Sequence, residues 1–327
     1  MLVVGPNGAG KTNLLESLHV GSQGFSPRTR SDAQLVRFGS EAGLVGLRGT
    51  RGASPLETEV VLTPAAGRKA NLNGARLRAA EQLRTEVQTL VFTPDRLTVV
   101  KGPPAVRRAY FDRALGRLLP ARASLAAEYG AALGQRNAAL RRVAAGVSSA
   151  DAIAPWTERV ARVGGELTEA RREAVEALGG PFGDFAASLQ LEGAQLRYEA
   201  EGPSTADLEA RLARDLERGS TGLGPHLEDV EIVAGERDLR SFGSQGEQRV
   251  AVLSLLLAEA TLIEERRGVL PLLLLDDVLS ELDVQRRSAL TGLLPAGQTL
   301  MTATDAAALE GEPDQLLAVS PGRVAVA

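Results

Sequence analysis

The 327-residue chain contains no cysteine, which removes disulfides, thiolate metal sites and thiol nucleophiles from consideration. Histidine is nearly absent too. With only His19 and His226, a histidine-rich metal centre is excluded, and a Ser-His-Asp hydrolase would have to draw its base from one of two residues. Seven Phe, three Tyr and one Trp are too few to build the base-stacking platforms of single-strand binders. The longest apolar run, Val269 to Leu275, falls far short of the roughly 18 residues a membrane span requires, and no charged leader opens the chain. A soluble, cytoplasmic protein without a membrane partner is expected.

There is no excess of positive charge either. The formal net charge is -4, so any nucleic-acid contact has to come from a local basic patch. Lysine occupies only positions 11, 69 and 101 among 37 cationic residues. The rest are arginines, whose planar fork suits phosphate, although the same bias suits a GC-rich genome. The length corresponds to about two structural units.

The chain opens with a short strand, Met1 to Val4, a glycine-rich loop and a helical pattern over Thr12 to Val20. From about Leu35 to Phe92 the apolar period turns toward two. Leu44 to Leu47 and Leu56 to Leu62 read as strands, and Asn73-Gly74 between Leu72 and Leu77 signals a two-residue hairpin. Gly102-Pro103-Pro104 starts a helical region that is expected to continue for more than a hundred residues. Leu125, Tyr129, Leu133, Leu140 and Val143 repeat at helical spacing, as do Trp156, Val160, Val163 and Leu167. Between them lies a turn, Gly146 to Asp151, with Asp151 as the expected N-cap. This pattern predicts an antiparallel helical arm. Ser244 to Arg267 and Asp283 to Leu294 then read as helices, and Leu270 to Leu275 and Gln298 to Ala303 as strands, an alternation that argues for a parallel α/β sheet. The expected organisation is an α/β domain built from residues 1–102 and 225–327, with a helical arm at 103–224 inserted between its halves.

Gly5-Pro6-Asn7-Gly8-Ala9-Gly10-Lys11-Thr12 fits G-x-x-x-x-G-K-[ST] in full and lies between a predicted strand and helix. Such a loop turns consecutive backbone N–H groups toward phosphate oxygens, with Lys11 reaching the β and γ phosphates and the Thr12 hydroxyl holding magnesium. Leu272 to Leu275 reads as a strand buried on both faces, and it delivers Asp276 and Asp277 to its C-terminal end, where open α/β sheets place ligands. Asp276 would support Mg2+, and Asp277 would orient the attacking water. Ser244 and Glu247 in Ser241-Phe242-Gly243-Ser244-Gln245-Gly246-Glu247 form a capping box, whose unpaired N–H groups would equally face an anion. Ser280-Glu281-Leu282-Asp283 follows the paired acids directly.

In this order the P-loop, the Ser-x-Gly-Glu segment, the strand with paired acids and the S-x-L-D turn resemble the ATP-binding-cassette (ABC) ATPases. The resemblance implies a P-loop core, a parallel sheet plus an antiparallel β-subdomain, with ATP and Mg2+ as cofactors. It also implies a head-to-tail homodimer in which Ser244, Gly246 and Glu247 of one subunit close over the nucleotide held by Gly5 to Asn13 of the other, and a catalytic role for Lys11 and Asp277.

Further motifs narrow the class. Phe92-Thr93-Pro94-Asp95-Arg96-Leu97, Val100-Lys101-Gly102-Pro103, Arg107-Arg108-Ala109-Tyr110-Phe111-Asp112-Arg113, Gly8 to Glu16 and Asp276 to Asp283 resemble the RecF family of bacterial recombination mediators over essentially the whole chain. That resemblance implies a slow, DNA-stimulated ATPase that dimerises on double-stranded or gapped DNA and, with RecO and RecR, helps load RecA on single strands. Family members ordinarily carry a further strand or two before the P-loop strand, whereas four residues precede Gly5 here, so adenine-side contacts go unassigned. The glutamine that cassette ATPases place after the third strand is replaced by Thr93-Pro94-Asp95, with Gln88 and Asp95 as the nearest substitutes, and Thr302-Ala303-Thr304-Asp305 stands where transporters carry a switch histidine. Basic clusters that could meet DNA are Arg28, Arg30 and Arg37 beside the first helix, Arg68, Lys69, Arg76 and Arg78 on the hairpin, and Arg107, Arg108, Arg136, Arg141 and Arg142 on the arm; Arg68, Lys69, Arg76, Arg107, Arg108, Arg141 and Arg142 are the candidate DNA contacts. Two other readings share the binding motifs: the energising subunit of an ABC transporter and a non-hydrolysing ATP-gated scaffold.

Overall fold

The computed structural model describes residues 1–64, 67–280, 282–309 and 311–327. The chain divides into two compact units, one made of Met1–Arg96 with Ile263–Ala327, the other of Leu97–Leu262. The second unit therefore holds residues 225–262 together with the helical insertion expected at 103–224.

In the first unit, β1 (Leu2–Val4) leads through the P-loop into α1 (Lys11–Gln23), followed by β2 (Gly43–Arg51), β3 (Ser54–Thr63), β4 (Gly67–Leu72), β5 (Ala75–Arg76) and β6 (Thr89–Phe92). β2 to β5 form an antiparallel sheet. Asn73 and Gly74 both have positive φ, 47° and 79°, the type I′ geometry that their sequence predicts. The first helix serves two cores. Its Leu15 joins Val3, Val91, Leu274, Leu300 and Val319, whereas Val20 joins Val60, Leu62, Ala70 and Leu83 beneath the antiparallel sheet.

The second unit begins with α2 (Thr98–Lys101) and α3 (Pro104–Leu118), the latter carrying Pro104 at its first position, where a missing N–H leaves nothing unpaired. Next come α4 (Leu125–Ala144) and α5 (Ala154–Ser188), the predicted arm. They run antiparallel: Arg136, late in α4, donates through Nε to Thr157 at the start of α5, whereas Tyr129, early in α4, lies against Gly164 further along α5. Asp151 is not the cap of α5. A 3₁₀ turn over Ala150–Ile153 enters the helix directly, and Pro155 in the first turn removes one of the donors a cap would have to satisfy.

Helix does not continue to the end of the insertion either. β7 (Ala194–Arg197) interrupts it, followed by α6 (Thr205–Ala210) and α7 (Leu212–Arg218), and β7 pairs antiparallel with β8 (Glu231–Ala234), which pairs with β9 (Arg237–Asp238). α8 (Leu239–Phe242) and α9 (Gln245–Arg267) follow, and the boundary between the units falls within α9.

Two arginines of this unit that the sequence offered for DNA, Arg107 and Arg136, are instead buried supports. Arg107, 3% exposed, grips both carboxylate oxygens of Asp229 and donates to the carbonyls of Val100 and Gly102. Arg136 is fully buried and pairs with Asp215 and Thr221 at 2.7 Å each, which ties α7 and the segment after it back to α4. His226 works in the same region, its Nδ1 bonded to the Tyr129 hydroxyl and its Nε2 to the Thr221 carbonyl. Both histidines of the chain are thus buried or half-buried structural groups, His19 meeting the Phe25 carbonyl in the first unit.

The first unit is completed by β10 (Leu272–Leu275), α10 (Val284–Leu293), β11 (Thr299–Ala303), β12 (Leu316–Ser320) and β13 (Arg323–Val326). The central sheet has the order β13-β12-β1-β11-β10-β6. Every pairing in it is parallel except that of β13 with β12. The C-terminal ends of β1, β11 and β10 therefore emerge side by side, with β11 in the middle. This arrangement brings residues from opposite ends of the sequence to one sheet edge.

Candidate nucleotide site

The loop after β1 is shaped by two glycines for different reasons. A Cβ on Gly5 would lie 2.4 Å from the Val319 carbonyl oxygen of the neighbouring β12, so only glycine lets the loop leave the sheet there. Gly10, just before α1, has φ +107°, a conformation that L side chains rarely adopt. Pro6, Asn7 and Gly8 are exposed, Ala9 is buried in the core, and Asn13 lies exposed on the first turn of α1. Lys11 Nζ folds back onto the loop, donating to the carbonyls of Gly5 at 2.6 Å and Pro6 at 3.1 Å. A cation held at the loop mouth by neutral carbonyls is available to an anionic ligand that offers stronger acceptors.

Asp276 ends β10 with its side chain buried, 5% exposed. The Thr12 hydroxyl donates to Asp276 Oδ1 at 3.1 Å across 264 positions of sequence, and the Thr302 hydroxyl donates to the same oxygen at 2.8 Å. The backbone N–H of Asp277 donates to Thr302 Oγ1 at 2.9 Å. Asp277 itself is half-buried with φ +50°, an uncommon state for a residue with a side chain, of the kind that collects at functional sites. Hydroxyl and carboxylate oxygens are the donors that magnesium takes, usually with retained waters, so Thr12 and Asp276 suit that ion. Among the described residues no group of three His, Cys, Asp or Glu could hold a metal alone. A phosphate-bridged ion needs no such cage.

Further elements lie around these. Thr93, buried after β6, neighbours the acids because the Asp276 N–H donates to the Phe92 carbonyl. Gln88 sits at the other end of β6, its amide committed to the Arg84 carbonyl. Asp95, in a short 3₁₀ turn after Thr93, is therefore the better placed of the two substitutes for the cassette glutamine. In the turn after the acids, Ser280 donates to the Asp277 carbonyl and Asp283 caps α10 through the Arg286 N–H; Glu281 lies outside the described residues.

The signature segment belongs to the second unit. Its capping box is fully formed: the Ser244 N–H donates to Glu247 Oε2 at 2.8 Å and the Glu247 N–H to Ser244 Oγ at 3.2 Å. Arg237, together with the Ser244 amide, holds the Glu247 carboxyl below its ordinary range. Ser244 is exposed and Gly246 half-buried, which presents the start of α9 to solvent.

The candidate DNA contacts separate into two groups. Lys69, Arg76 and Arg78 are exposed around a shallow cavity of about 300 Å³ in the first unit, and Arg141 and Arg142 are exposed on the last turn of α4. Arg68 lines that cavity but is pinned by Asp32 and the Gly24 carbonyl. Arg108 is half-buried, donates to the Glu228 carbonyl, and has its pKa pushed down by burial and by Arg171. Arg107 has no open face.

A P-loop, paired acids at a parallel-sheet edge and a Ser-x-Gly-Glu helix start define an ATPase of the fold shared by ABC and SMC-head proteins. An SMC head bound to the C-terminal winged-helix domain of ScpA superposes with a TM-score of 0.57 at 17% identity, a likeness of fold alone. No protein-family model matches the sequence. Solved structures of the recombination mediator RecF with ATP and with ATPrS, each named as part of the RecFOR pathway, match with TM-scores of 0.87 and 0.86 at 28% identity. They cover 100% and 99% of this chain and 91% of theirs. The DNA replication and repair protein RecF of Heliobacterium modesticaldum is 36% identical over 331 residues, 96% of this chain and 88% of its own. That of Myxococcus xanthus is 36% identical over 358 residues, 99% of this chain and 90% of its own. The chain belongs to the RecF family.

Proposed function

We propose that the protein is a DNA-repair ATPase that dimerises on DNA around two ATP molecules and uses slow hydrolysis to reset. One observation carries the reading: Thr12 and Asp276, 264 positions apart in sequence, meet at 3.1 Å beside a P-loop whose lysine donates, among the described residues, to neutral carbonyls. Gly5 to Asn13 bind the triphosphate, with Lys11 against its terminal phosphates. Thr12 and Asp276 would hold Mg2+, which neutralises charge that develops on the phosphates. Asp277 orients water and accepts its proton. Ser244, Gly246 and Glu247 act on the nucleotide of the other subunit.

Ser244→Arg tests the sandwich. The variant is expected to bind ATP as tightly as the parent yet to stay monomeric in light scattering with Mg-ATP and duplex DNA. A variant that still dimerises under those conditions removes the signature from the interface.

The relatives' names, DNA replication and repair and the RecFOR pathway, support the biological setting, which the proposal extends to RecO and RecR as partners and to helping load RecA at single-strand gaps. Membership of the family takes away the ground for a transporter subunit, and no helix among the described residues is long and apolar enough to cross a membrane. Phosphate release with and without duplex DNA separates a DNA-stimulated ATPase from a non-hydrolysing scaffold.

For DNA, the exposed cations Lys69, Arg76, Arg141 and Arg142 carry the proposal, with Arg108 contributing its exposed edge. Arg68 acts by shaping the hairpin surface. Since each neutralised phosphate contributes about 0.9 to the slope of log affinity against log salt, a Lys69→Ala/Arg76→Ala variant should lower that slope by about 2. Fluorescence anisotropy across a salt series measures it, and an unchanged slope takes the hairpin out of the DNA surface.

A further inference from the structure

We propose that Thr302 is a positioning residue for phosphoryl transfer, holding both aspartates of the site in register; the inference rests on the reading of Asp276 and Asp277 given above. Its ground is topological as well as local. β11 lies between β1, which carries the P-loop, and β10, which carries the acids. Val3 is the register partner of Thr302 on one side, and Leu275 pairs with Met301 on the other. β11 is the strand of the sheet that borders both halves of the site.

The hydroxyl of Thr302 has one hydrogen, and that hydrogen is committed. It points to Asp276 Oδ1 at 2.8 Å, while the oxygen accepts the Asp277 N–H at 2.9 Å. The residue is 1% exposed, so water does not substitute for either bond. The first bond fixes the rotation of the Asp276 carboxyl and leaves Oδ1 shared with Thr12, the oxygen pair suited to magnesium. The second anchors the amide of a residue in the left-handed region, φ +50°, a conformation that persists only when its surroundings over-determine it. A single hydroxyl thereby sets the direction of one acid's side chain and the backbone of the next.

A plain structural role would be a strand-end threonine whose methyl and hydroxyl only fill space. The two roles differ in what serine can do. Thr302→Ser keeps the donor and acceptor and loses the methyl, whereas Thr302→Val keeps the shape and loses the hydroxyl. Removing hydrogen bonds to a charged and a backbone partner at a preorganised site is expected to lower turnover by roughly 10- to 100-fold.

The experiment compares the parent chain, Thr302→Ser, Thr302→Val and Asp277→Asn. It records steady-state phosphate release and the magnesium dependence of binding of a fluorescent ATP analogue, with circular dichroism to follow folding. Thr302→Val should lose turnover with little change in KM and need several-fold more magnesium for half-maximal analogue binding, about 3-fold or above. Thr302→Ser should match the parent within about 3-fold in both. A serine variant as impaired as valine, or a valine variant with parental turnover and magnesium dependence, overturns the proposal. The serine arm decides alone if the valine variant does not fold. Normal turnover in Asp277→Asn overturns the phosphoryl-transfer reading and Thr302 with it, whereas an inactive Asp277→Asn beside an unaffected Thr302→Val overturns Thr302 alone.

Discussion

Asp277→Asn should retain ATP binding and lose turnover by about 10²- to 10³-fold, the range for removing one group that acts on charge or a proton in the transition state. The substitution is nearly isosteric. It leaves the backbone N–H that donates to Thr302 and the left-handed backbone in place, and it touches neither the P-loop nor the Thr12–Asp276 contact. What disappears is a carboxylate able to accept a proton from water at the end of β10. Because hydrolysis is the reset in the proposed cycle, ATP-bound dimers should outlive those of the parent. Single-turnover phosphate release gives the first result, and light scattering after an ADP chase gives the second. Parental turnover would take Asp277 out of the reaction.

Asp215→Ala should destabilise the second unit by about 3–5 kcal/mol, the usual consequence of leaving a buried charge without its partner. Arg136 and Asp215 are 0% and 1% exposed. Arg136 further donates to Thr157 and Thr221, while Asp215 Oδ1 accepts the Gly222 N–H, so the pair sits in a network that closes α4, α5 and the segment after α7 onto one another. Removing both charges with Arg136→Met/Asp215→Leu should recover most of the loss, because well-packed apolar residues substitute for buried ion pairs at little net cost. The one tryptophan of the chain, Trp156, adjoins Thr157 at the start of α5. Its fluorescence in a denaturant titration reports on this unit, and a single variant within about 1 kcal/mol of the parent would show that the network contributes little.

Local chemistry made much of this legible beforehand. The P-loop is contiguous, the Asn73-Gly74 turn depends on two residues, and the Ser244–Glu247 cap spans one turn of helix, so each appears in the structure as its spacing predicts. The stripes of α4 and α5 likewise bury Tyr129, Leu140, Val160, Val163 and Leu167. Contacts set by distant pairing were not visible. β7 is a short strand that finds its partner β8 far along the chain, and β12 and β13 carry no motif. Arginine composition says nothing of burial: Arg107 and Arg108 are adjacent, yet one is a buried clasp and the other keeps an exposed edge. Thr302 stood out in the sequence only by occupying the position of a missing histidine. Its bonds exist because β11 threads between β1 and β10, which no local pattern encodes.

That threading has a consequence during synthesis. β1 leaves the ribosome well before β11 and β12, the two strands between which it lies. The nucleotide pocket thus stays unfinished while the intervening unit, contiguous from Leu97 to Leu262, already has its full length available to collapse. Nascent chains stalled before Thr299 should therefore show a protected arm and no retention on ATP resin, with binding switching on only after the C-terminal strands clear the exit tunnel.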